Sequence, residues 1–426
     1  MKSAFQSHPR RSFLKGAASI TTGALLPAIN SGWIRSFDDL KHLSSELVKN
    51  EDYWKMIQRQ FAVEEGKIMV NAANLCPSPY VVSEAVIDYA KDLEKDVSFQ
   101  NRDKYGELRT KALTLLAEML KVEFSEVGIT RNTSESNNII VNGIDFNPED
   151  EVIIWDQNHP TNSQSWEQRA KREGFKVVKI QVPKQPSSQK ELFEPFEKAI
   201  TPRTRLIAFS HLSNVSGIAL PAKQICTMAA SMGIHTLIDG AQSFGFLDLD
   251  LHELGCDFYT ASMHKWTMGP KETGILYVNK SKLSSLWPSI VSVGWDESNE
   301  TTDERLCILG QRNDPNIPGV AESLMFQMAI GLSDIEKRIR QLNAYLKESI
   351  QEEMPNISFV TPLNSDLSGG ITIINWPEDT RIKVFGGLYT DHGIASAPTG
   401  GLRFSPNIYN TLEDMDRIVE ALKTYI

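Results

Sequence analysis

The sequence predicts an α/β fold, a mostly parallel sheet covered by helices, with a smaller α+β C-terminal domain. Three observations predict it. From about residue 104 to residue 278, short apolar runs of strand length alternate with stretches of helical spacing, the pattern of parallel strands joined by helical crossovers. Polar clusters stand directly after several of these runs, at the strand ends where open α/β sheets bind ligands. Beyond about residue 310 the texture changes: residues 311–318 are rich in Asn, Asp and Pro, and a long helical stretch follows.

The elements follow in order. Residues 105–122 carry Leu108, Ala112, Leu115, Leu116, Met119 and Leu120, an apolar stripe at helical spacing. Residues 126–131 read as a strand entering a turn, 151–155 as a short apolar strand, and 176–182 alternate. Residues 206–209 run apolar into a polar cluster, 234–238 end at Asp239-Gly240, and 257–261 end just before Ser262-Met263-His264-Lys265. A further apolar run covers 274–278, and helical patterns cover 166–173 and 221–232. The second domain reads as a helix over 321–352, a strand over 371–376 and a last helix over 412–425. The organisation expected is a leader over 1–30, an N-terminal segment over 31–75 packing on the small domain, a large domain over 76–310 and a small one over 311–426.

A chain of 426 residues exceeds one ordinary core and suits two domains. The formal net charge is −10 and no basic run is present, which argues against a nucleic-acid partner. The four cysteines (Cys76, Cys226, Cys256 and Cys307) lack CxxC spacing, and no HExxH occurs. Buried thiols are therefore expected, with neither a metal site nor a disulfide framework. Arg10-Arg11-Ser12-Phe13-Leu14-Lys15 precedes a mild apolar stretch over 16–29. That arrangement resembles a twin-arginine export signal, and the stretch is too short and too rich in small residues to span a membrane. The expectation is a periplasmic protein with no membrane span once processed; a cytoplasmic one is the alternative.

Two residues carry the chemistry. Asp239 closes the apolar run at 234–238, and Lys265 follows the run at 257–261. Together they meet the needs of pyridoxal 5′-phosphate (PLP): a lysine amine that forms the Schiff base and a carboxylate that pairs with the protonated ring nitrogen. Singly, each has a bland explanation, since most lysines are solvated and many aspartates cap helices.

From about Asn71 to the C-terminus the chain resembles the class V aminotransferase family of fold-type-I PLP-dependent enzymes, which includes cysteine desulfurases and isopenicillin-N-epimerase-like proteins. The resemblance rests on Asp239-Gly240-Ala241-Gln242, on Ser262-Met263-His264-Lys265 and on the segment from Ser210 to Gly217. It implies that Thr133 and Ser134, at a helix start, hold the cofactor phosphate, together with Ser262 and His264. An ordinary N-cap would use the same residue types at 133 and 134. It implies that His159 stacks on the ring, where a plain turn histidine beside Pro160 is the alternative. Asn214 and Gln242 would then bond the phenolic oxygen, and Arg403 would grip the substrate carboxylate through its fork of donors. The catalytic set implied is Lys265, Asp239 and His159, in a homodimer.

Two departures stand out. Residues 392–400 hold no cysteine, where desulfurases carry theirs. Gln311 follows Gly310, where relatives carry a threonine that reaches the partner's phosphate. The activity expected is α-proton abstraction from an amino acid, with an aminotransferase- or epimerase-like outcome. A C–S or β-elimination lyase is the alternative, and a non-catalytic ligand-binding relative the second. A nucleotide-binding protein is disfavoured, since neither GxGxxG nor GxxxxGK[ST] follows a strand.

Overall fold

The computed structural model describes residues 49–426; the twin-arginine stretch lies outside the described residues. The chain enters through helix α1 (Glu51–Gln58), capped by the Asn50 side chain, and strand β1 (Ile68–Met69). Helices α2 (Tyr80–Lys95) and α3 (Lys104–Leu120) lead into a seven-stranded sheet. Its strands are β2 (Val127–Thr130), β3 (Glu151–Trp155), β4 (Lys176–Ile180), β5 (Thr204–Ser210), β6 (His235–Asp239), β7 (Phe258–Ser262) and β8 (Gly274–Val278). Their order is β2-β8-β7-β6-β5-β3-β4. The neighbours from β4 through β7 pair in parallel, while β8 runs antiparallel to both β7 and β2.

Burial explains why these strands were legible as apolar runs. Every residue of β2, β3, β7 and β8 is buried, because helices cover both faces of a parallel sheet. Edge strand β4 is the exception and exposes Lys176 and Lys179, charges that guard an open edge. The crossovers are α4 (Thr133–Gly143), α5 (Pro160–Glu173), α6 (Gln189–Ala199) and α7 (Ala222–Ser231).

After the sheet come α8 (Asn316–Ile330) and α9 (Leu332–Glu353). The sequence suggests one helix here, but Gly331 adopts φ +97°, which only glycine takes without strain, and the helix breaks. The two halves face different cores. Ile317, Val320 and Leu324 of α8 join the core of the large sheet, whereas Leu342, Leu346 and Ile350 of α9 line a second one. Around that second core lie β9 (Ser358–Phe359), β10 (Thr372–Asn375), α10 (Glu378–Thr390), β11 (Ile394–Ala395), β12 (Leu402–Phe404) and α11 (Leu412–Lys423). Strands β12, β10 and β9 form an antiparallel sheet, and β11 pairs in parallel with β1. Tyr53, Trp54, Ile57 and Phe61 of the N-terminal segment pack with Phe326, Ile335, Ile339, Ile373 and Tyr409. Arg338 holds that segment through Glu51 (3.0 Å from Nη2 to Oε2).

The topology gathers the chemistry. Asp239 ends β6, Lys265 lies three residues past β7, Thr133 opens the helix after β2, and His159 caps the helix after β3. All four stand at the carboxyl ends of like-directed strands.

Candidate active site

Asp239 is 3% exposed. Its Oδ1 accepts from the Ala241 N–H at 3.1 Å, and its Oδ2 accepts from Asn137 Nδ2 at 3.1 Å. No cation pairs with it among the described residues. A buried carboxylate without a cation is costly, so this one is suited to a cationic partner that enters from outside.

Lys265 sits in a turn closed by backbone bonds from Met268 to Lys265 (2.9 Å) and from Gly269 to Met263 (2.7 Å). Met268 takes φ +57° there, a left-handed conformation that costs a non-glycine residue about 1–2 kcal/mol. The Lys265 amine makes no hydrogen bond among the described residues. Burial pushes it down to about 8, against the attraction of Asp239. Nearby Lys271 is also lowered by burial, but its amine is spent on the Cys76 carbonyl and the Ser78 hydroxyl, both at 3.1 Å. Of the two lysines, only Lys265 is both free and poised to lose a proton near neutral pH.

At the start of α4 the Asn132 side chain caps the helix, accepting from Glu135 N–H at 3.0 Å. Thr133 and Ser134 are therefore the first helical residues, and capping does not consume their hydroxyls. Thr133 meets Ser262 through its N–H (2.9 Å) and its hydroxyl (2.6 Å), and the Ser134 hydroxyl has no partner among the described residues. A helix N-terminus lined with hydroxyls suits a phosphate. His264, two residues after Ser262 in the chain, is pushed down to about 4 by burial and by Lys265 and Lys271, so its imidazole is neutral.

His159 is half-buried, and burial lowers its pKa despite Asp239. Its Nδ1 lies 2.8 Å from the Thr161 hydroxyl and 3.3 Å from the Thr161 N–H, contacts that fix the ring's orientation. The Asn214 side-chain amide is free among the described residues. Gln242 is more committed than the sequence suggests: its Nε2 donates to the Ala73 carbonyl and its Oε1 accepts from the Trp266 indole, both at 2.9 Å. One Nε2 proton remains for any ligand.

Arg403 comes from the other sheet, on β12. It is 4% exposed. Its Nη1 donates to the Asn214 carbonyl and its Nη2 to Asn71 Oδ1, both at 3.0 Å. Its Nε is buried without a partner, and no carboxylate pairs with it among the described residues. Burial pushes the guanidinium down to about 10, which leaves it charged at neutral pH. A buried cation held only by neutral acceptors is suited to an incoming carboxylate.

Three residues of this arrangement escaped the sequence reading: Asn137, Thr260, whose hydroxyl donates to Asn137 Oδ1 at 2.6 Å, and Asn71. Asn137 lies four residues after Thr133, the spacing that puts both on one helix face, and that was its one available signal. The donor set fits PLP: a buried anion for the ring nitrogen, a free lysine, a hydroxyl-lined helix start and a neutral imidazole.

The comparisons agree with this chemistry. A family model described as aminotransferase class-V matches residues 73–418. The isopenicillin N epimerase of Streptomyces clavuligerus is 28% identical over 389 residues, covering 87% of this chain and 97% of the relative. That of Amycolatopsis lactamdurans is 30% identical over 391 residues, covering 87% and 98%. The apo cysteine desulfurase of Thermococcus onnurineus NA1 shares the fold with a TM-score of 0.77 at 21% identity, covering 87% of this chain and 97% of that one. This chain belongs to the class V aminotransferase family and is a PLP-dependent enzyme.

Proposed function

We propose that the protein acts on a carboxylate-bearing amino acid by removing its α-proton, with an epimerase-like outcome ahead of transamination. One juxtaposition carries the reading: a Lys265 amine lowered to about 8 within the attraction of a buried Asp239 that forms no ion pair among the described residues, together with an Arg403 that has no counter-ion among them. When bound, the cofactor supplies an aldehyde for an amine and a cationic ring that takes up electrons from the α-carbon. The residues do the rest. Asp239 holds the proton on the ring nitrogen. Thr133, Ser134 and Ser262, with the N-terminus of α4, bind the phosphate. His159 covers the ring face and excludes water. Arg403 grips the carboxylate and so sets which α-carbon bond faces Lys265. The Lys265 amine, substantially neutral near pH 8, takes the α-proton. Lys265 passes the proton it took to solvent, and a proton delivered from solvent to the opposite face inverts the centre.

Two observations weigh against a desulfurase-type lyase. Residues 392–400 supply no cysteine. Cys76 is buried, and burial pushes its thiol up to about 11, where it is a poor nucleophile. The two epimerase relatives favour the other branch.

A homodimer is part of the proposal. Exposed Val291 and Val293 flank Ser292, which lies next to Gly310, and exposed Val97 and Phe99 flank Ser98, the cap of the short helix that carries Arg102. Arg102 links this surface, donating to Gln311 at 3.2 Å and lying 4.8 Å over the Phe99 ring. A second copy of the chain would cover it; a solution mass of one chain would overturn that part.

The test of function is to incubate the cofactor-loaded enzyme with single L-amino acids and peptides bearing them in deuterated buffer. Deuterium entering the α-position with loss of chirality, and without a keto acid, is the expected result. Release of sulfur and alanine from cysteine without such exchange would contradict it.

A further inference from the structure

Helix α4 buries three polar side chains against the sheet. Thr133, Ser136 and Asn137 all face the sheet and are at most 7% exposed. Leucine or valine would suit such positions, since a buried polar group costs free energy unless it is paired. Each is paired. Ser136 donates to the Ile275 carbonyl at 2.9 Å, and Thr133 meets Ser262. Asn137 is held from two sides: Thr260 Oγ1 donates to its Oδ1 at 2.6 Å, and its Nδ2 donates to Asp239 Oδ2 at 3.1 Å.

We propose that Asn137 is the positioning residue that orients the Asp239 carboxylate toward the cofactor ring, and that Thr260 locks Asn137 in that role. The inference rests on Asp239 being the partner of the ring nitrogen.

The polarity of the chain of bonds fixes the amide. Turned over, Asn137 would set its carbonyl oxygen against the carboxylate, acceptor facing acceptor, and its NH₂ against the Thr260 hydroxyl. As arranged, every donor finds an acceptor. The two oxygens of Asp239 are then held by different elements, Oδ2 by α4 and Oδ1 by the turn after β6. Two anchors stop the carboxylate rotating, and each oxygen keeps lone-pair capacity for a further donor.

The same contacts set a register. Asn137 lies four residues beyond Thr133 on α4, and Thr260 lies two residues before Ser262 on β7. Four helical residues rise about 6 Å, and two strand residues rise about 6.6 Å. One helix turn therefore matches one strand dipeptide, with a hydrogen bond at each end. The helix that offers its N-terminus to the phosphate thus also carries, one turn deeper, the group that aims the ring's counter-ion. Asn137 touches neither substrate nor cofactor in this account and acts through Asp239.

The experiment uses the full-length enzyme loaded with PLP and the variants Asn137→Leu, Thr260→Val and Thr260→Ser. The phosphate end is read by phosphorus NMR of the bound cofactor. The ring end is read by the pH titration of its visible absorbance, and turnover by kcat and KM separately. For Asn137→Leu we expect an unchanged phosphorus shift, a displaced absorbance titration and a kcat lowered on the order of 10- to 100-fold, the effect of losing one hydrogen bond to a charged group. The KM should stay within about threefold of wild type, since the loss falls after binding. Thr260→Val should move the same readouts less, and Thr260→Ser, which keeps the hydroxyl, should restore them. If Asn137→Leu does not fold, the Val and Ser pair at 260 carries the test. The inference is overturned if the absorbance titration and kcat of Asn137→Leu match wild type, or if Thr260→Ser is as impaired as Thr260→Val. A wild-type protein that takes up no cofactor at Lys265 would overturn the reading beneath it instead.

Discussion

The two ends of the site carry opposite buried charges and differ in how far the residues around each charge are tied together. At the large-sheet end, the polar groups meet one another: Asp239 accepts from Asn137 and Ala241, Asn137 accepts from Thr260, and Thr133 meets Ser262. At the small-sheet end, Arg403 is a buried cation with two neutral acceptors, an unpartnered Nε and no carboxylate. The first end is organised in advance, as suits a group that stays bound through every turnover. Both ends keep an unmet charge, but Arg403 also keeps an unpartnered Nε and lacks the surrounding network that Asn137 and Thr260 give Asp239, as suits a group that comes and goes. Preorganisation lowers the cost of holding a resident ligand, and an unpaired buried charge makes recognition of the missing partner strong. Secondary structure matches the division. The first end stands on strand ends buried on both faces, and the second on a short antiparallel strand joined to the first by the segment that contains Asn71.

Crossed substitutions sharpen this comparison. The largest effect should come from Asp239→Asn, which keeps the shape and removes the charge. Its kcat should fall on the order of 10²–10³-fold, as for other lost electrostatic contacts to a reacting group, while KM moves little. Arg403→Ala should do the reverse. Substrate binding should weaken by about 2–5 kcal/mol, the cost of breaking one side of a buried charge pair, with cofactor affinity preserved. Steady-state kinetics and cofactor titration on both variants separate the cases, and an Arg403→Ala enzyme that loses cofactor but keeps its KM would break the division.

The smallest effect is one of pH. The neutral amine is the form that attacks an aldehyde, and Lys265 is lowered to about 8 by burial. Cofactor uptake by the cofactor-free protein should therefore speed up as pH rises toward about 8 and level off above it. Stopped-flow absorbance measures this rate, and a rise continuing to the usual lysine range near 10.4 would show that burial does not tune the amine.

The sheet and the central pair were legible in the sequence for a physical reason. Strands buried on both faces are mostly apolar, so β3, β5, β6, β7 and β8 showed as runs, and Asp239 and Lys265 marked the ends of two of them. The polar crossover helix α4 was not legible in full, because Ser136 and Asn137 interrupt its apolar stripe. Pro195 inside α6 hid that helix similarly. The break at Gly331 was invisible because a lone glycine in a helical pattern is tolerated, and only its backbone angle shows the stop. The Arg403 side was read by resemblance, and its support by Asn71 is a long-range contact that no local pattern encodes. Gln242 shows the opposite limit, since a motif residue turned out to be largely engaged by Ala73 and Trp266.

The proposed chemistry stands on one covalent bond. Its most direct test is to load the purified enzyme with PLP, reduce it with borohydride and locate the modified lysine by peptide mass spectrometry. The account predicts the cofactor mass on Lys265, with none on the Lys265→Ala variant. The mass on Lys271 or another lysine, with Lys265 unmodified, would contradict it.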